Sequence, residues 1–558
     1  MKINRTVLAG FLAVLAFGAA KAQTTPSTTD AATSMPKQLE ELRGQTAAQQ
    51  AEIELLKKQI EELRQARQDE NANPGSQTAG SAPSSTAATE PKAATVEHLQ
   101  KQQAKLEAEV NHPDALHYKG ITLSPQGSFI EAATVYRSAA TGGGINTAFT
   151  GIPLENSDQA QLSEFFGSGR QSRLALKATG ELANMKLTGY YEMDWLGTGI
   201  TSNNNQSNSY VVRQRQIWAQ AALSSGWSFT GGQMWSLATE TTHGLENGAE
   251  ILPGTIDPQY TAGFVWARQY GLRVTKNFGN KFWIGASAEN AQTLPGGSNP
   301  ANQTLGQGGA GGGLYNSTAN YSYNLAPDMI AKIAWEPGWG HYELFGIARF
   351  FRNRIYPNAP ASSAGAYNDT TVGGGIGGGF RVPVAARHIS FGLKGLYGDG
   401  TGRYGDSTIA DVTFKPDGQI SPLHTFSVLG TLEFNPNSRL NIYTNYGGDY
   451  VGRDIHGNAG YGLYTADMSG CNTEAVPSGS YNPGSTGICA GNNKDVQEGT
   501  VGYWFNFYSA AKGKLRQGIQ YSHFTRNLWS GAGGATNPGG GAKGMDNIFE
   551  ISLRYYLP

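Results

Sequence analysis

The sequence predicts an all-β transmembrane protein, a 16-stranded antiparallel β-barrel with an N-terminal α-helical coiled-coil extension, and three observations carry that prediction. The composition is glycine-rich and charge-poor, with 75 Gly and 26 Tyr in 558 residues and 15% Asp, Glu, Lys and Arg, where soluble chains average about 7% Gly and about 25% charged residues. The hydrophobic period changes from 3.5 to 2 after Pro113. Short connections between the period-2 segments then alternate with long ones. Beyond residue 23 no run approaches the ~20 apolar residues of a spanning helix, and the glycines lack the period of three of collagen. A net charge of −1 gives no reason to expect a nucleic-acid partner.

The elements follow in chain order. Lys2 and Arg5 precede an apolar stretch at 7–20 that closes on Ala20-Lys21-Ala22, the pattern of a cleavable secretory signal over residues 1–22. Position 23 is Gln rather than Cys, so no lipid anchor is indicated. Leu39, Leu42, Thr46, Gln49, Ile53, Leu56, Ile60 and Leu63 are spaced 3, 4, 3, 4, 3, 4, 3, a heptad seam that predicts a coiled coil over residues 37–70. Residues 71–95 are rich in Pro, Ser, Thr, Ala and Gly and read as a disordered linker. Val96, Leu99, Gln103, Leu106 and Val110 then give a short second coil over 96–112. Two heptad pieces predict self-association. Ile53/Leu56 and Ile60/Leu63 favour two helices, while the polar layers Thr46 and Gln49 are compatible with three, so the number of chains stays open on this evidence.

The barrel is predicted over residues 121–558. Residues 186–195 show the new period, with Leu187, Tyr191, Met193 and Trp195 on one face and Lys186, Thr188, Glu192 and Asp194 on the other. Short turns fall near 182–185, 224–226, 277–280, 336–340, 386–388, 436–438 and 510–513. Long loops fall near 138–169, 197–210, 236–263, 293–327, 357–370, 399–422, 452–495 and 528–545. Fifteen connections join sixteen strands, and an even number with all long loops at one end is the pattern of an outer-membrane barrel. One face is apolar, as in Phe426, Val428, Leu432 and Phe434 or Phe549, Ile551, Leu553 and Tyr555. The other is polar, as in Thr425, Ser427, Thr431 and Glu433 or Glu550, Ser552 and Arg554. The apolar face is expected to meet lipid and the polar face a water-filled lumen, because sixteen strands enclose an aqueous channel. Passive diffusion of small hydrophilic solutes is the expected role. Trp227, Phe282, Trp335, Tyr342 and Tyr397 suit interfacial girdles.

The basic residues expected on the lumen wall are Arg173, Lys177, Arg213, Arg215, Arg273, Arg349, Arg381, Lys394, Arg516 and Arg554. The third long loop, 236–263, carries Glu240, His243, Glu246, Glu250 and Asp257. Folded into a basic bore, it would form an eyelet with a transverse field that favours small anionic solutes. Pairing with Glu192, Glu289, Glu343 or Glu433 is the structural alternative for any one arginine. Parity is poor at Arg213 and Arg215, because both faces of 211–222 are mixed, as expected where one barrel meets another. Cys471 and Cys489 lie in the seventh long loop of an exported chain, so a disulfide is expected. The nine His show no metal-ligand spacing, and the Gly-x-Gly-x-x-Gly match at 373–379 is a chance match among six glycines in seven residues with no helix after it. No cofactor, metal or enzymatic constellation is indicated. A structural envelope protein whose coil links the outer membrane to periplasm or peptidoglycan is the second reading, without a recognisable wall-binding module.

In this organisation, and in Arg170-Gln171-Ser172-Arg173-Leu174, Arg213-Gln214-Arg215-Gln216-Ile217-Trp218, Gly232-Gln233-Met234-Trp235-Ser236, Arg268-Gln269 with Arg273, and Gly340-His341-Tyr342-Glu343-Leu344, the chain resembles the DcaP-type porins of the Gram-negative outer membrane. The resemblance implies a homotrimer of 16-stranded barrels with an N-terminal periplasmic coil. It also implies passage of small negatively charged organic molecules such as dicarboxylates, with Arg173, Arg213 and Arg215 as the residues carried over. The ending Tyr555-Tyr556-Leu557-Pro558 departs from the terminal aromatic residue usual in such barrels.

Overall fold

The structure is a computed structural model that describes Lys58 and residues 115–142, 144–147, 149–197, 210–298, 322–384, 388–474, 489–533 and 541–558. Apart from Lys58, the expected signal, both coil segments and the linker lie outside the described residues. The chain divides into two units, Met1–Pro113 and Asp114–Pro558, and the second is built on one closed sheet, with two small two-stranded sheets in its loops.

Sixteen strands form the wall: β1 (Phe129–Arg137), β2 (Arg173–Leu182), β3 (Met185–Gly197), β4 (Val211–Leu223), β5 (Trp227–Trp235), β6 (Arg268–Phe278), β7 (Phe282–Glu289), β8 (Asp328–Trp335), β9 (His341–Ile355), β10 (Tyr367–Val384), β11 (Ile389–Asp399), β12 (His424–Phe434), β13 (Leu440–Val451), β14 (Asn493–Ala510), β15 (Gly513–Leu528) and β16 (Lys543–Tyr556). Each pairs antiparallel with its sequence neighbours, and Leu553↔Ala132 with Arg554↔Glu131 zips β16 to β1 and closes the barrel. The expected first loop also contains a strand, Glu164–Ser168, which continues β2 along β1. A small hairpin, Leu116–Tyr118 with Ile121–Ser124, extends β1 downward against β2 through Ile121↔Gly180.

Alternation sorts side chains to two surfaces. Val372, Ile376, Tyr397, Phe426, Val501 and Phe549 point outward and are exposed, while Thr425, Ser427, Asn445, Glu550 and Ser552 point inward and are buried. The expected girdle residues Trp227, Phe282, Trp335 and Tyr397 are exposed. The glycine run of β10 permits close approach of β9: a side chain on Gly377 would run into the ring of Phe345, and one on Gly373 would meet Phe351 at 2.7 Å.

The interior is not the uniformly polar lumen the alternation suggests. Leu237, Ala238, Leu245, Val265 and Ala267 of the third loop form an apolar cluster with inward-facing Trp283, Ile330, Ala334, Phe345, Ile347 and Leu396 of β7, β8, β9 and β11. The inner faces of those strands mix apolar residues with charged ones such as Lys332, Glu343 and Arg349, and the loop covers the apolar ones.

Candidate functional site: a strapped loop inside a charged wall

The third loop runs from Ser236 to Ala267, between β5 and β6, and folds into the barrel. Its apolar residues drive it against β7, β8, β9 and β11, and its backbone amides then find acceptors on distant strands. Leu237 N donates to Glu289 Oε1 at 2.8 Å, Thr241 N to Glu343 Oε1 at 2.9 Å, Ile256 N to Gln520 Oε1 at 2.8 Å, Ala262 N to Glu498 Oε2 at 2.7 Å and Gly263 N to Asp449 Oδ2 at 3.1 Å. These partners stand on β7, β9, β15, β14 and β13, so the loop crosses the bore. Gly263 has φ +84°, and a side chain there would collide with the Val428 carbonyl of β12. The sixth loop braces the crossing: Thr261 N and Trp266 Nε1 donate to the two Asp406 carboxylate oxygens at 2.5 and 2.6 Å.

The acidic residues of the loop divide by environment. Glu240 accepts from Arg381 Nε at 3.0 Å. Asp257 accepts from Gln171 Nε2, and burial together with the nearby Glu131 carboxylate pushes its carboxyl up to about 6. Glu250 accepts from Gly248 N at 2.9 Å across a turn of the loop. Glu246 is exposed, with His243 Nε2 at 3.9 Å. His243 and His341 place Nδ1 at 2.7 and 2.9 Å from the Glu336 carboxylate, which fixes this stretch of the loop to the β8–β9 turn.

The wall arginines fall into distinct groups. On β2, β3 and β4, Glu192 and Asp194 face four cations. Arg215 lies 2.5 Å from Glu192 and 2.8 Å from Asp194, and it also donates to Gln259 of the third loop at 2.9 Å. Arg213 takes Asp194 with two nitrogens, at 3.0 and 2.7 Å. Arg173 is 3.7 Å from Glu192. Arg268, at the start of β6, stacks on Trp235 and Trp266, within electrostatic reach of Arg215, Arg213 and Arg173 and also of the Glu192 carboxylate; among the described residues it forms no ion pair. This cluster holds two acids and four bases.

The mixed faces around Arg213 and Arg215 have a local cause in the strand pairing. Glu192 pairs with Gln216 but Met193 pairs with Gln214, leaving Arg215 as an extra residue. Such a bulge shifts the alternation by one, so Arg213 and Arg215 join Gln216 and Trp218 on the inner side.

Most of the other expected wall cations face inward and are held by partners. Arg349 is fully buried, 3.2 Å from Asp328 and 2.7 Å from Asp411 of the sixth loop, so it ties a loop to the wall instead of meeting solute. Lys394 and Lys332 share Glu343 at 2.9 and 2.8 Å. Arg554 lies 2.8 Å from Glu131 and donates to the Ile256 carbonyl. Arg273 donates to Asn247 Oδ1 at 3.0 Å and to the Trp235 carbonyl. Arg381 sits between Glu240 and Glu433, the latter at 3.4 Å. Arg516 stacks on Trp504 at 3.8 Å, and Lys177 on β2 is partly exposed with no ion pair among the described residues. Cys471 and Cys489 are joined. The sequence reading missed Arg268 and Glu131 as members of these networks; the inward apolar residues Ile330, Phe345 and Ile347 were the signal that something packs inside.

No protein-family model matches the chain, and no curated protein matches it either. Among solved structures it is similar to the outer-membrane channel DcaP of Acinetobacter baumannii at 14% identity and TM-score 0.54, over 79% of this chain and 99% of that one. OprB of Pseudomonas putida follows at 11% identity and TM-score 0.40, over 82% and 96%. An anion-selective porin from Comamonas acidovorans stands at 11% and 0.39, over 78% and 98%. The likeness to DcaP, with the barrel closed by β16 on β1, gives the chain the fold of a 16-stranded porin.

Proposed function

We propose that the protein is a porin of the outer membrane that passes small hydrophilic solutes by diffusion and favours small organic anions such as dicarboxylates. One observation carries the anion preference: four arginines, Arg173, Arg213, Arg215 and Arg268, gather around only Glu192 and Asp194, beside a loop that crosses the bore. In a narrow passage of low effective dielectric, an uncompensated cation attracts an anion far more strongly than in bulk water. Arg215 and Arg213 are neutralised in place, which leaves Arg173 and Arg268 to meet a solute. No bond is made or broken; the chain supplies shape and field.

Assembly as a homotrimer, with the N-terminal coil in the periplasm, completes the proposal, and the heptads at residues 37–70 and 96–112 are its support. Planar-bilayer recording tests the channel: absence of conductance from the purified protein would refute it. Reversal potentials in a salt gradient test the preference, which is expected to favour the anion and to fall severalfold in Arg173→Ala/Arg268→Ala. A cation-selective wild type would refute the anionic reading alone.

A further inference from the structure

The outward face of β9 changes character near its upper end. Leu344, Gly346, Ala348 and Phe350 point to lipid, and the next two outward residues are Arg352 and Arg354. The lower edge of the lipid belt is marked by Trp335, Trp339 and Tyr342, whose rings stand 4.9–6.2 Å apart at the β8–β9 turn. Eleven strand residues tilted by about 45° rise about 25 Å, the height of the apolar band of such barrels. Counted from His341, that distance ends at Phe351, so Arg352 and Arg354 emerge in the headgroup layer of the outer leaflet.

Their surroundings leave both charges available. The Arg352 guanidinium has no carboxylate or hydrogen-bond partner among the described residues, and it is exposed. Arg354 is held in place without being neutralised: Nη1 donates to Asn368 Oδ1 at 3.1 Å, and the guanidinium lies 5.9 Å from the Tyr356 ring. The nearest acid on the paired strand, Asp369, accepts from Ile420 N at 3.0 Å on the other side of the wall. Arg213, Arg215, Arg349, Arg381 and Arg554 on the inner side have carboxylates; this outward pair has none among the described residues.

We propose that Arg352 and Arg354 bind the phosphate of an outer-leaflet lipid headgroup. Residues two apart on one strand face stand about 7 Å from each other, a gap that two guanidinium forks can close on one phosphate with charge-assisted hydrogen bonds. The acyl chains of the same lipid would lie down the apolar column toward Val372 and Ile376, both exposed.

The test is native mass spectrometry of the purified full-length protein with three probes: bisphosphorylated lipid A, the same lipid without phosphates, and inorganic phosphate. Wild type is expected to retain the phosphorylated lipid, Arg352→Gln/Arg354→Gln to lose about tenfold in retention, and Arg352→Lys/Arg354→Lys to keep part of it. The barrel of each variant is verified by its heat-modifiable electrophoretic mobility. Equal retention by wild type and the Gln variant, or equal retention of the dephosphorylated lipid by wild type, would overturn the site. Displacement by inorganic phosphate at matched concentration would overturn the lipid as its source. A loss of oligomers in the Gln variant with lipid retention intact would assign this face to a second copy instead.

Discussion

Two arginines on the strands that flank β3, Arg215 on β4 and Arg173 on β2, illustrate how burial separates structure from passage. Arg215 is 2% exposed between two carboxylates, and removing one member of a buried pair leaves an uncompensated charge worth about 3–5 kcal/mol. Arg215→Ala is therefore expected to lower the thermal unfolding midpoint in detergent. Arg173, at 21% exposure, lies 3.7 Å from Glu192, and its removal leaves that carboxylate paired with Arg215; Arg173→Ala should shift the melt much less than Arg215→Ala and reduce anion preference. Circular dichroism melts run beside bilayer recordings separate the two. Asp257 adds a pH dependence. Its carboxyl, pushed up to about 6 by burial and Glu131, is ionised at pH 7 and protonated at pH 5, so acidification removes a negative charge from the crossing loop. Anion preference should rise from pH 7 to pH 5, and this increment should be absent in Asp257→Asn, read from reversal potentials at both pH values.

At the level of elements, the third loop is held by two different forces. Leu237, Leu245 and Val265 bury apolar surface against β7, β8, β9 and β11, while backbone amides at Ile256, Ala262 and Gly263 reach carboxylates and an amide on β13, β14 and β15. Shortening its turn at residues 242–249, where Thr242 N donates to the Ala249 carbonyl at 2.6 Å, is expected to raise single-channel conductance with the barrel intact. An unchanged conductance would place the narrowest point elsewhere. Strand β10 shows the opposite economy, because its inward glycines exist for what lies over them. Gly377→Val should destabilise the barrel by about 1–3 kcal/mol through overpacking against Phe345. Phe345→Ala in the same chain should recover part of that loss in a thermal melt.

The whole molecule joins a barrel to a segment of separate character. Because Asp114–Pro558 is a compact unit, deleting residues 37–112 is expected to leave single-channel conductance unchanged; a barrel that no longer conducts would show that the N-terminal segment is needed for its assembly or opening. Strand number, the side on which long loops lie and the apolar outward face of β12 or β16 were legible in the chain, because alternation with period 2 is a local property carried by each strand alone. The unexpected parity at Arg213 and Arg215 was visible too, but not its cause, since a bulge is defined only against the partner strand. Nor could the alternation say that Arg349 would be buried between Asp328 and Asp411, 21 and 62 residues away, or that Arg268 would form no ion pair among the described residues. By itself the sequence determined a sixteen-stranded wall with one apolar and one polar face. Only the tertiary structure decided that the third loop crosses the bore and which charges there remain uncompensated, because both depend on contacts between residues far apart in the chain, for which no periodicity exists.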